Sequence, residues 1–188
     1  MKHLLAPLAL SIISGCASFE IAPKSDLQIM TKHNYKDLSG HFENYPFEYK
    51  GKKTDDPYGY EFAPKLLWTQ LTGGKQRSNK GYSVNIQFTS PRRALAKLYD
   101  GDSLIASVKL KGHTGDHFFY SKSRIKIIPF FPLVFGYRTY AFRIALRGDN
   151  LVIDYNWAYS MSTLIVGAGE DGLSREVFRR ISKSDLPL

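Results

Sequence analysis

The chain contains a single cysteine, Cys16, among its 188 residues. One thiol cannot form a disulfide within the chain, so the fold has to rest on packing rather than on covalent cross-links. The sequence also lacks an N-terminal apolar run of the roughly 20 residues that a membrane-spanning helix requires. Its apolar stretch there covers only Leu4 to Ile13. These two absences argue against a disulfide-rich scaffold and against a transmembrane anchor.

The N-terminal residues have the pattern of an export signal. A short polar head precedes the apolar run, and the small residues Ser14 and Gly15 give a signal peptidase access to the backbone. A buried helix is the alternative interpretation, but Pro7 interrupts the run. The sequence therefore predicts a signal peptide over residues 1–15.

The segment Ile13-Ser14-Gly15-Cys16 resembles the lipobox of bacterial lipoproteins. The resemblance implies that Cys16 receives a diacylglycerol thioether, becomes the first residue after cleavage, and is acylated on its new amino group. Several acyl chains on one residue imply a permanent membrane anchor. Ala17 and Ser18 follow the cysteine, whereas an aspartate retains lipoproteins of the enterobacterial type on the inner membrane. The resemblance therefore implies the outer membrane, with the domain facing the periplasm.

Acidic residues are fewer than basic ones, with 17 Asp and Glu against 26 Lys and Arg and a net charge of +9. In a cell envelope this excess favours anionic partners such as lipopolysaccharide, phospholipid head groups or acidic protein surfaces. The basic residues are spread along the chain, so an ordinary solvated surface is the alternative to a dedicated anion site. No recognition motif for nucleic acid accompanies the charge, so no such partner is predicted.

Two segments follow the predicted signal peptide. Residues 16–38 mix charges, Pro23 and isolated apolar residues without a sustained period, which predicts a lipidated tether. Residues 39–188 are long enough to bury a core and predict a single domain.

The domain is predicted to be mainly β. Tyr82 to Phe88 alternates apolar and polar residues, and Asp100-Gly101 between two such runs predicts a hairpin. Further turns are predicted at 112–115 and 148–150, and a last strand at Ser162 to Val166. Short strands joined by tight turns favour an antiparallel up-and-down meander that curls into a barrel or half-barrel to hide its edges.

Two other all-β architectures are alternatives to this barrel. A sandwich also hides sheet edges. A transmembrane barrel would require basic residues of several strands to face a lumen throughout, and a lipid anchor would be redundant with it. The basic residues concerned are Lys109, Lys111, Arg143 and Arg147.

Two helices are predicted to flank the strands. The first covers Phe62 to Thr72, where Leu67 and Leu71 lie four residues apart before Gly73-Gly74. The second covers Leu173 to Ile181 at the C-terminal end. Lys50 to Tyr58, which precedes the first helix, is predicted to be a loop.

A meander with a late helix resembles the lipocalins loosely. The Gly-x-Trp signature that this family carries before its first strand is represented here by Gly40-His41-Phe42. A helix also intrudes before the meander, which departs from the family's pattern.

The sharpest alternation occupies two strands joined by a turn at Gly148. Its apolar positions are predicted to line one continuous interior: Tyr140, Phe142, Ile144, Leu146, Leu151, Ile153, Tyr155 and Trp157. Its charged positions are predicted to point to water: Arg143, Arg147 and Asp154.

Residues Gly167 to Gly172 match the G-x-G-x-x-G pattern of dinucleotide-binding proteins. That fold needs a second parallel strand with an acidic residue roughly 20 positions further on, which is missing here. Glu170 and Asp171 would also repel a pyrophosphate. The segment is therefore predicted to be a flexible turn.

No motif indicates an enzyme or a metal protein. His113, Asp116 and His117 have side chains that suit zinc, but they flank a Gly-rich turn without a helical face or a fourth ligand. There is no Gly-x-Ser-x-Gly elbow, although distant residues can still assemble a triad in space. We expect no enzyme, no metal and no cofactor other than the lipid on Cys16.

The apolar segment Ile127 to Phe135 contains three phenylalanines and two prolines. It either caps one end of the barrel or forms an exposed lip that touches lipid or a partner protein. Arg124, Lys126 and Arg138 flank it, as expected for contact with an anionic lipid surface. The contact residues predicted here are Phe130, Phe131, Phe135 and Arg138.

Together these features predict a non-enzymatic lipoprotein of the outer membrane whose β domain binds an apolar or lipid-like ligand. The alternative is a scaffold or accessory subunit of an envelope protein assembly, bound through a sheet edge or the apolar segment.

Overall fold

The computed structural model describes residues 25–53, 64–74, 78–130, 134–163 and 167–182. These residues form a mainly β structure with one six-residue helix, α1 (Leu67–Thr72), and one 3-10 turn, Tyr35–Leu38. The strands are β1 (Gly40–Glu43), β2 (Glu48–Lys53), β3 (Ser83–Ser90), β4 (Arg93–Asp100), β5 (Ser103–Gly115), β6 (Phe118–Ser121), β7 (Arg124–Phe130), β8 (Val134–Arg147), β9 (Asn150–Thr163) and β10 (Gly167–Phe178).

All strand pairs are antiparallel, and the spatial order is β1-β3-β4-β5-β6-β8-β9-β10-β2, with β7 beside β8. At one end of the sheet Phe42 of β1 forms a bridge with Arg180, just after β10. The N–H of Glu43 donates to the carbonyl of Arg179 at 3.0 Å, and that of Ile181 to His41 at 2.8 Å. The sheet is thus a curled antiparallel half-barrel, which confirms the mainly β, curled part of the predicted fold class. The strand order departs from a simple up-and-down meander, because β3 lies beside β1 and β2 lies beside β10.

Alternating strand directions give the sheet two distinct ends. The β3–β4, β5–β6 and β8–β9 turns lie at what we call the lower end, around Arg92, His117 and Gly148. The β4–β5, β7–β8 and β9–β10 connections lie at the upper end. β6 and β7 run in succession along β8, because Tyr120 pairs with Arg143 and Arg124 with Tyr140.

The interior of the curl is filled by the protein's own side chains. Leu67, Trp68 and Leu71 of α1 are fully buried there. The strand residues of the same cluster include Phe42, Val84, Ile86, Phe88, Leu98, Phe119, Phe142, Ile144, Leu146, Leu151, Ile153 and Phe178.

Helix α1 is shorter than the predicted Phe62 to Thr72, of which 62 and 63 lie outside the described residues. Its start is set by Asn44, from the connection between β1 and β2. The Asn44 carbonyl accepts from the N–H of Leu67, and its Oδ1 accepts from the N–H of Trp68, both at 2.9 Å. These bonds satisfy two of the free donors of the first turn, so a distant residue takes the role of an N-cap.

The interior face of the β8–β9 hairpin is confirmed near its turn, whereas the predicted Tyr140 and Trp157 are half-buried and lie outside the central cluster. Phe142, Ile144, Leu146, Leu151 and Ile153 are all buried in the central cluster. Tyr155 is partly buried against that cluster.

The prediction that all three charged residues of this hairpin point to water is wrong. Arg143 and Asp154 are 3% and 0% exposed, and they pair across β8 and β9. Arg143 Nε lies 2.7 Å from Asp154 Oδ2, and Arg175 Nε on β10 lies 2.6 Å from Asp154 Oδ1. Asp154 forms an ion pair with each of its two neighbours. The outer face of the sheet here is covered by residues that the hairpin pattern does not contain. We call these three residues the buried ionic row.

Part of that cover comes from residues 25–38, within the predicted tether. Leu27 packs with Phe118, Val152 and Val177 in a second buried cluster on the outer face. Met30 is also buried, in the central cluster. This segment, from residue 25 onward, is therefore packed on the sheet.

The C-terminal helix predicted at Leu173 to Ile181 is also wrong, because β10 runs through to Phe178. The segment 167–172, predicted as a flexible turn, belongs to the same strand. β10 lies between β9 and β2, so Val177 and Phe178 are buried on opposite faces. Burial on both faces removes the simple alternation that identifies a strand from sequence.

Two predicted connections are strands instead. The loop predicted at Lys50 to Tyr58 overlaps β2, which ends at Lys53, with 54–58 outside the described residues. The turn predicted at 112–115 lies inside β5. The actual turn falls on Asp116 and His117, whose φ angles are positive at 47° and 71°. The predicted last strand at Ser162 to Val166 overlaps the end of β9, and 164–166 lie outside the described residues.

Candidate anion-binding surface

Three basic side chains lie side by side on the outer face of the sheet, at the start of β4, four residues before the end of β5 and just after β6. Arg93 of β4 is directly opposite Lys111 of β5 in the register. The N–H of Lys122, just after β6, donates to the carbonyl of Lys111 at 2.9 Å. All three side chains are exposed, whereas Ala94 and Leu110 beside them are buried on the inner face. We call Arg93, Lys111 and Lys122 the basic row.

Like charges directly opposite on neighbouring strands are destabilising by roughly 0.2–1 kcal/mol. Within the described chain, none of the three side chains of the basic row forms an ion pair. The buried ionic row offers a direct contrast, since it also crosses three strands but places an aspartate between two arginines. One row contains a counter-ion supplied by the fold, and the other leaves its charge available to an external anion.

The basic row borders two depressions. The wider one, of about 550 Å³, is lined by Arg92, Arg93, Lys111 and Lys122. A narrower cleft of about 160 Å³ is lined by Lys109, Lys111, Lys122 and Arg124, with Phe142 at its inner side. Neither lining contains an aspartate or a glutamate. Both depressions therefore present cations, with an apolar wall in the narrower cleft.

The narrower cleft marks a split in the sheet. β5 pairs with β6 through Gly112 to Gly115 only, and β7 pairs with β8, so β5 and β7 are not joined by a ladder in the described residues. At the split Arg124 Nη1 donates to the Thr72 carbonyl at 3.4 Å and to the Tyr140 hydroxyl at 3.3 Å. Arg124 is thereby tied to the end of α1 and is less available to a ligand than the basic row.

Above the split, large apolar side chains are exposed on both strands. On β7, Ile125 and Ile127 are 68% and 59% exposed. On β5, Leu104 and Ile105 are 54% and 48% exposed. Leu104 and Ile105 lie at the upper end beside the β4–β5 turn, whereas Ile125 and Ile127 follow Lys122 by only three and five residues.

A second group of ionisable residues is buried inside the curl. The N–H of Lys65 donates to Glu176 Oε1 at 3.3 Å, and Lys65 Nζ lies 4.4 Å from the ring centroid of Tyr155. Burial raises the pKa of Glu176 to about 7 and that of Tyr155 to about 12, and it lowers the pKa of Lys65. Glu176 is the member of this group whose pKa lies near neutral pH.

The structure also brings a serine and a histidine together. His41 Nε2 lies 2.6 Å from Ser83 Oγ, across β1 and β3, and burial lowers the pKa of His41. A catalytic triad needs a third group that orients the imidazole and donors that stabilise an oxyanion. Among the described residues, no carboxylate is bonded to the other ring nitrogen of His41. The pair is therefore a hydrogen bond between strands rather than an assembled triad.

The site residues predicted from sequence are not brought into one pocket. Cys16 and Phe131 lie outside the described residues. Phe130 and Phe135 are in β7 and β8, and only their backbone is described. Arg138 is exposed and lies opposite Lys126 in the β7–β8 register. Its Cζ atom lies 5.5 Å from the ring centroid of Tyr159. Pro129 lies in β7, which has β8 as its one described neighbour, consistent with proline on an edge strand.

The predicted turn residues His113 and His117 contact different residues. His113 stacks on Tyr120 at 5.1 Å, and His117 Nδ1 lies 3.2 Å from the Gln28 carbonyl. Within the described ranges, no group of three or more His, Cys, Asp or Glu side chains is arranged to hold a metal ion.

Sequence reasoning missed the basic row, although part of the signal was present. Counting outward from the hairpin turn at Asp100-Gly101 places Arg93 near Lys111 on the polar face of both strands. The position of Lys122 depends on where β5 ends, and a turn placed at 112–115 hides it.

No family model, curated protein or solved structure matches this chain. In the described part of the chain, no helix has the length and apolar character needed to cross a membrane.

Proposed function

We propose that the protein is a non-enzymatic lipoprotein, anchored in the outer membrane through Cys16, whose basic row binds the anionic head group of a lipid-like ligand. The observation that carries the proposal is the unneutralised charge of Arg93, Lys111 and Lys122 on adjacent strands. A phosphate-bearing head group matches this row, because each basic residue near an anionic lipid surface contributes about 1 kcal/mol.

The filled interior favours binding on the outer surface over binding inside the curl. Trp68 and Leu71 of α1, together with Phe142 and Phe119, occupy the space in which a hollow barrel would hold a ligand. A ligand bound at the row can still place apolar atoms in the narrower cleft against Phe142.

The proposal is tested by vesicle binding. The mature protein is held in neutral phosphatidylcholine nanodiscs, and its binding to phosphatidylglycerol vesicles is measured by flotation. Because three contacts of about 1 kcal/mol each correspond to about 100-fold in affinity, the variant R93E/K111E/K122E is expected to bind at least 100-fold more weakly.

The matched control is K50E/K80E/K97E, which changes the net charge equally at positions outside the row. It is expected to lose no more than a few-fold in affinity, through the general charge alone. Equal losses in the two variants would assign binding to net charge and contradict a dedicated site.

The second candidate is an accessory subunit of an envelope protein assembly. It is favoured by the exposed Ile125 and Ile127 on β7, an edge strand within the described chain. Native mass spectrometry of protein extracted from membranes separates the two candidates. A bound lipid mass supports the first, and a bound protein mass that disappears in I125D/I127D supports the second.

A further inference from the structure

The N-terminal segment that leads back to Cys16 is fixed at the lower end of the sheet. Asp26 Oδ2 lies 3.5 Å from Arg147 Nη1, at the end of β8. The N–H of Gln28 donates to the Leu146 carbonyl and its Nε2 donates to the Gly148 carbonyl, both at 2.9 Å. Residue 25 is therefore held close to the β8–β9 turn.

Chain length limits how far a lipid on Cys16 can lie from this point. Nine residue steps separate Cys16 from Ser25, and a fully extended chain covers at most about 3.3–3.6 Å per residue, or about 30 Å in all. β8 alone, with 14 residues, is about 45 Å long at the usual rise of a strand. The lipid therefore cannot lie at the upper end of β8, whereas every position along the lower half of the strand is within its reach.

The charges along β4 and β5 are divided in the same direction. Arg92 and Arg93 lie at the lower end beside Lys111. Asp100 and Asp102 lie exposed at the β4–β5 turn of the upper end. An anionic surface attracts the first group and repels the second. The lower turns also carry the exposed Asp116 and Asp149, so the contrast holds between these named groups and not between the two ends as a whole.

We propose that the basic row docks on the anionic head groups of the same membrane leaflet that holds the acyl chains of Cys16. This inference rests on the proposed function, and it names the partner of the row as the anchoring leaflet rather than a lipid presented by another membrane. The lipid supplies the attachment, and the row fixes the orientation.

The experiment measures which end of the domain lies near the bilayer. Lipidation consumes the only native thiol, so an introduced cysteine carries a fluorophore at one chosen position. Ser123→Cys reports beside the basic row, and Ser103→Cys reports at the β4–β5 turn, both at exposed serines. The labelled lipoproteins are reconstituted in phosphatidylglycerol-containing nanodiscs that carry a nitroxide on the lipid head groups.

The expected result is quenching at position 123 that exceeds quenching at 103 by at least two-fold. The difference should disappear in R93E/K111E/K122E and in phosphatidylcholine discs, and it should persist in K50E/K80E/K97E. Equal quenching at both positions in anionic discs would overturn the inference. In that case, if the protein held in phosphatidylcholine nanodiscs still binds phosphatidylglycerol vesicles through the row, the proposed function stands and the anchoring leaflet is the wrong partner. If vesicle binding is also lost, the proposed function fails with it.

Discussion

Asp154 shows how strongly a single buried charge ties three strands together. It accepts from Arg143 on one side and from Arg175 on the other, with 1% of its side chain exposed. Arg143 also stacks over the ring of Phe118 at 4.0 Å. Removing Arg143 leaves Asp154 paired with Arg175, so the loss consists of a buried charge-assisted hydrogen bond, about 1.5–3 kcal/mol, and of the packing of the arginine on Phe118.

Arg143→Ala is therefore expected to reduce the free energy of unfolding by about 3 kcal/mol. Urea denaturation followed by tryptophan fluorescence measures the change. The control is Arg92→Ala, an exposed arginine of the same sheet, which should stay within about 0.5 kcal/mol. A small effect at Arg143 would mean that its guanidinium is solvated in solution.

Glu176 gives the stability a pH dependence. Burial raises its pKa from 4.5 to about 7, so the folded protein holds this proton more tightly than the unfolded chain does. The contribution of Glu176 to the free energy of unfolding is fully present below about pH 4.5 and is lost as the pH rises through about 7. At 1.36 kcal/mol per pKa unit, the loss is on the order of 3 kcal/mol.

Glu176→Gln removes this titration, because the amide is an uncharged analogue of the protonated acid. The variant and the wild type should have similar free energies of unfolding at pH 4.5. The variant should become the more stable of the two by pH 8. Parallel stability curves across this range, measured by urea denaturation, would show that Glu176 does not titrate between these limits.

At the scale of single elements, the β8–β9 hairpin separates inner from outer positions. Ile144 on its inner face is 0% exposed, whereas Ile125 on the neighbouring β7 is 68% exposed. Ile144→Ala should lower the free energy of unfolding by about 2–5 kcal/mol through lost burial and the cavity left behind. Ile125→Ala should change it by no more than about 0.5 kcal/mol. Equal losses at both positions would contradict the inner and outer assignment of these strands.

Helix α1 ends at a glycine that the packing also requires. Gly73 has a φ of 72°, and a Cβ placed there would meet the ring of Tyr140. Gly74 has a similar φ of 77°, but a Cβ there would find open space. Gly73→Ala should therefore destabilise the protein more than Gly74→Ala, which carries only the backbone cost of roughly 1 kcal/mol. Thermal unfolding of the two variants compares them, and identical melting temperatures would exclude the contact with Tyr140.

For the whole molecule, the membrane anchor is predicted to depend on the sulfur atom of Cys16. Cys16→Ser should abolish lipidation and leave an uncleaved precursor, since lipobox processing requires the thioether. Labelling with radioactive palmitate and the size of the protein on a gel measure both effects. Normal cleavage without incorporated palmitate would instead indicate an ordinary signal peptide.

The amino-acid sequence determined the features that depend on local periodicity. The strict alternation of Tyr140 to Leu146 and of Leu151 to Tyr155 fixed the register and the inner face of this hairpin, because a shift of one residue would place charges inside. Asp100-Gly101 likewise set the β4–β5 turn, and Gly73 set the end of α1. From these elements the curled antiparallel fold followed.

Only the tertiary structure decided which outer faces are covered and which strands meet. The alternation of its own hairpin predicts that Arg143 is exposed to solvent. Leu27, distant in sequence, contributes to the covered outer face beside it. The sequence at the end of β10 predicts a helix, because burial on both faces of this strand removes the alternation of apolar and polar residues. The basic row depends on Lys122 reaching Lys111, which is fixed by the length of β5 and not by any local pattern. Charges become a site when strands from separate parts of the chain align them, and that alignment is a long-range property of the fold.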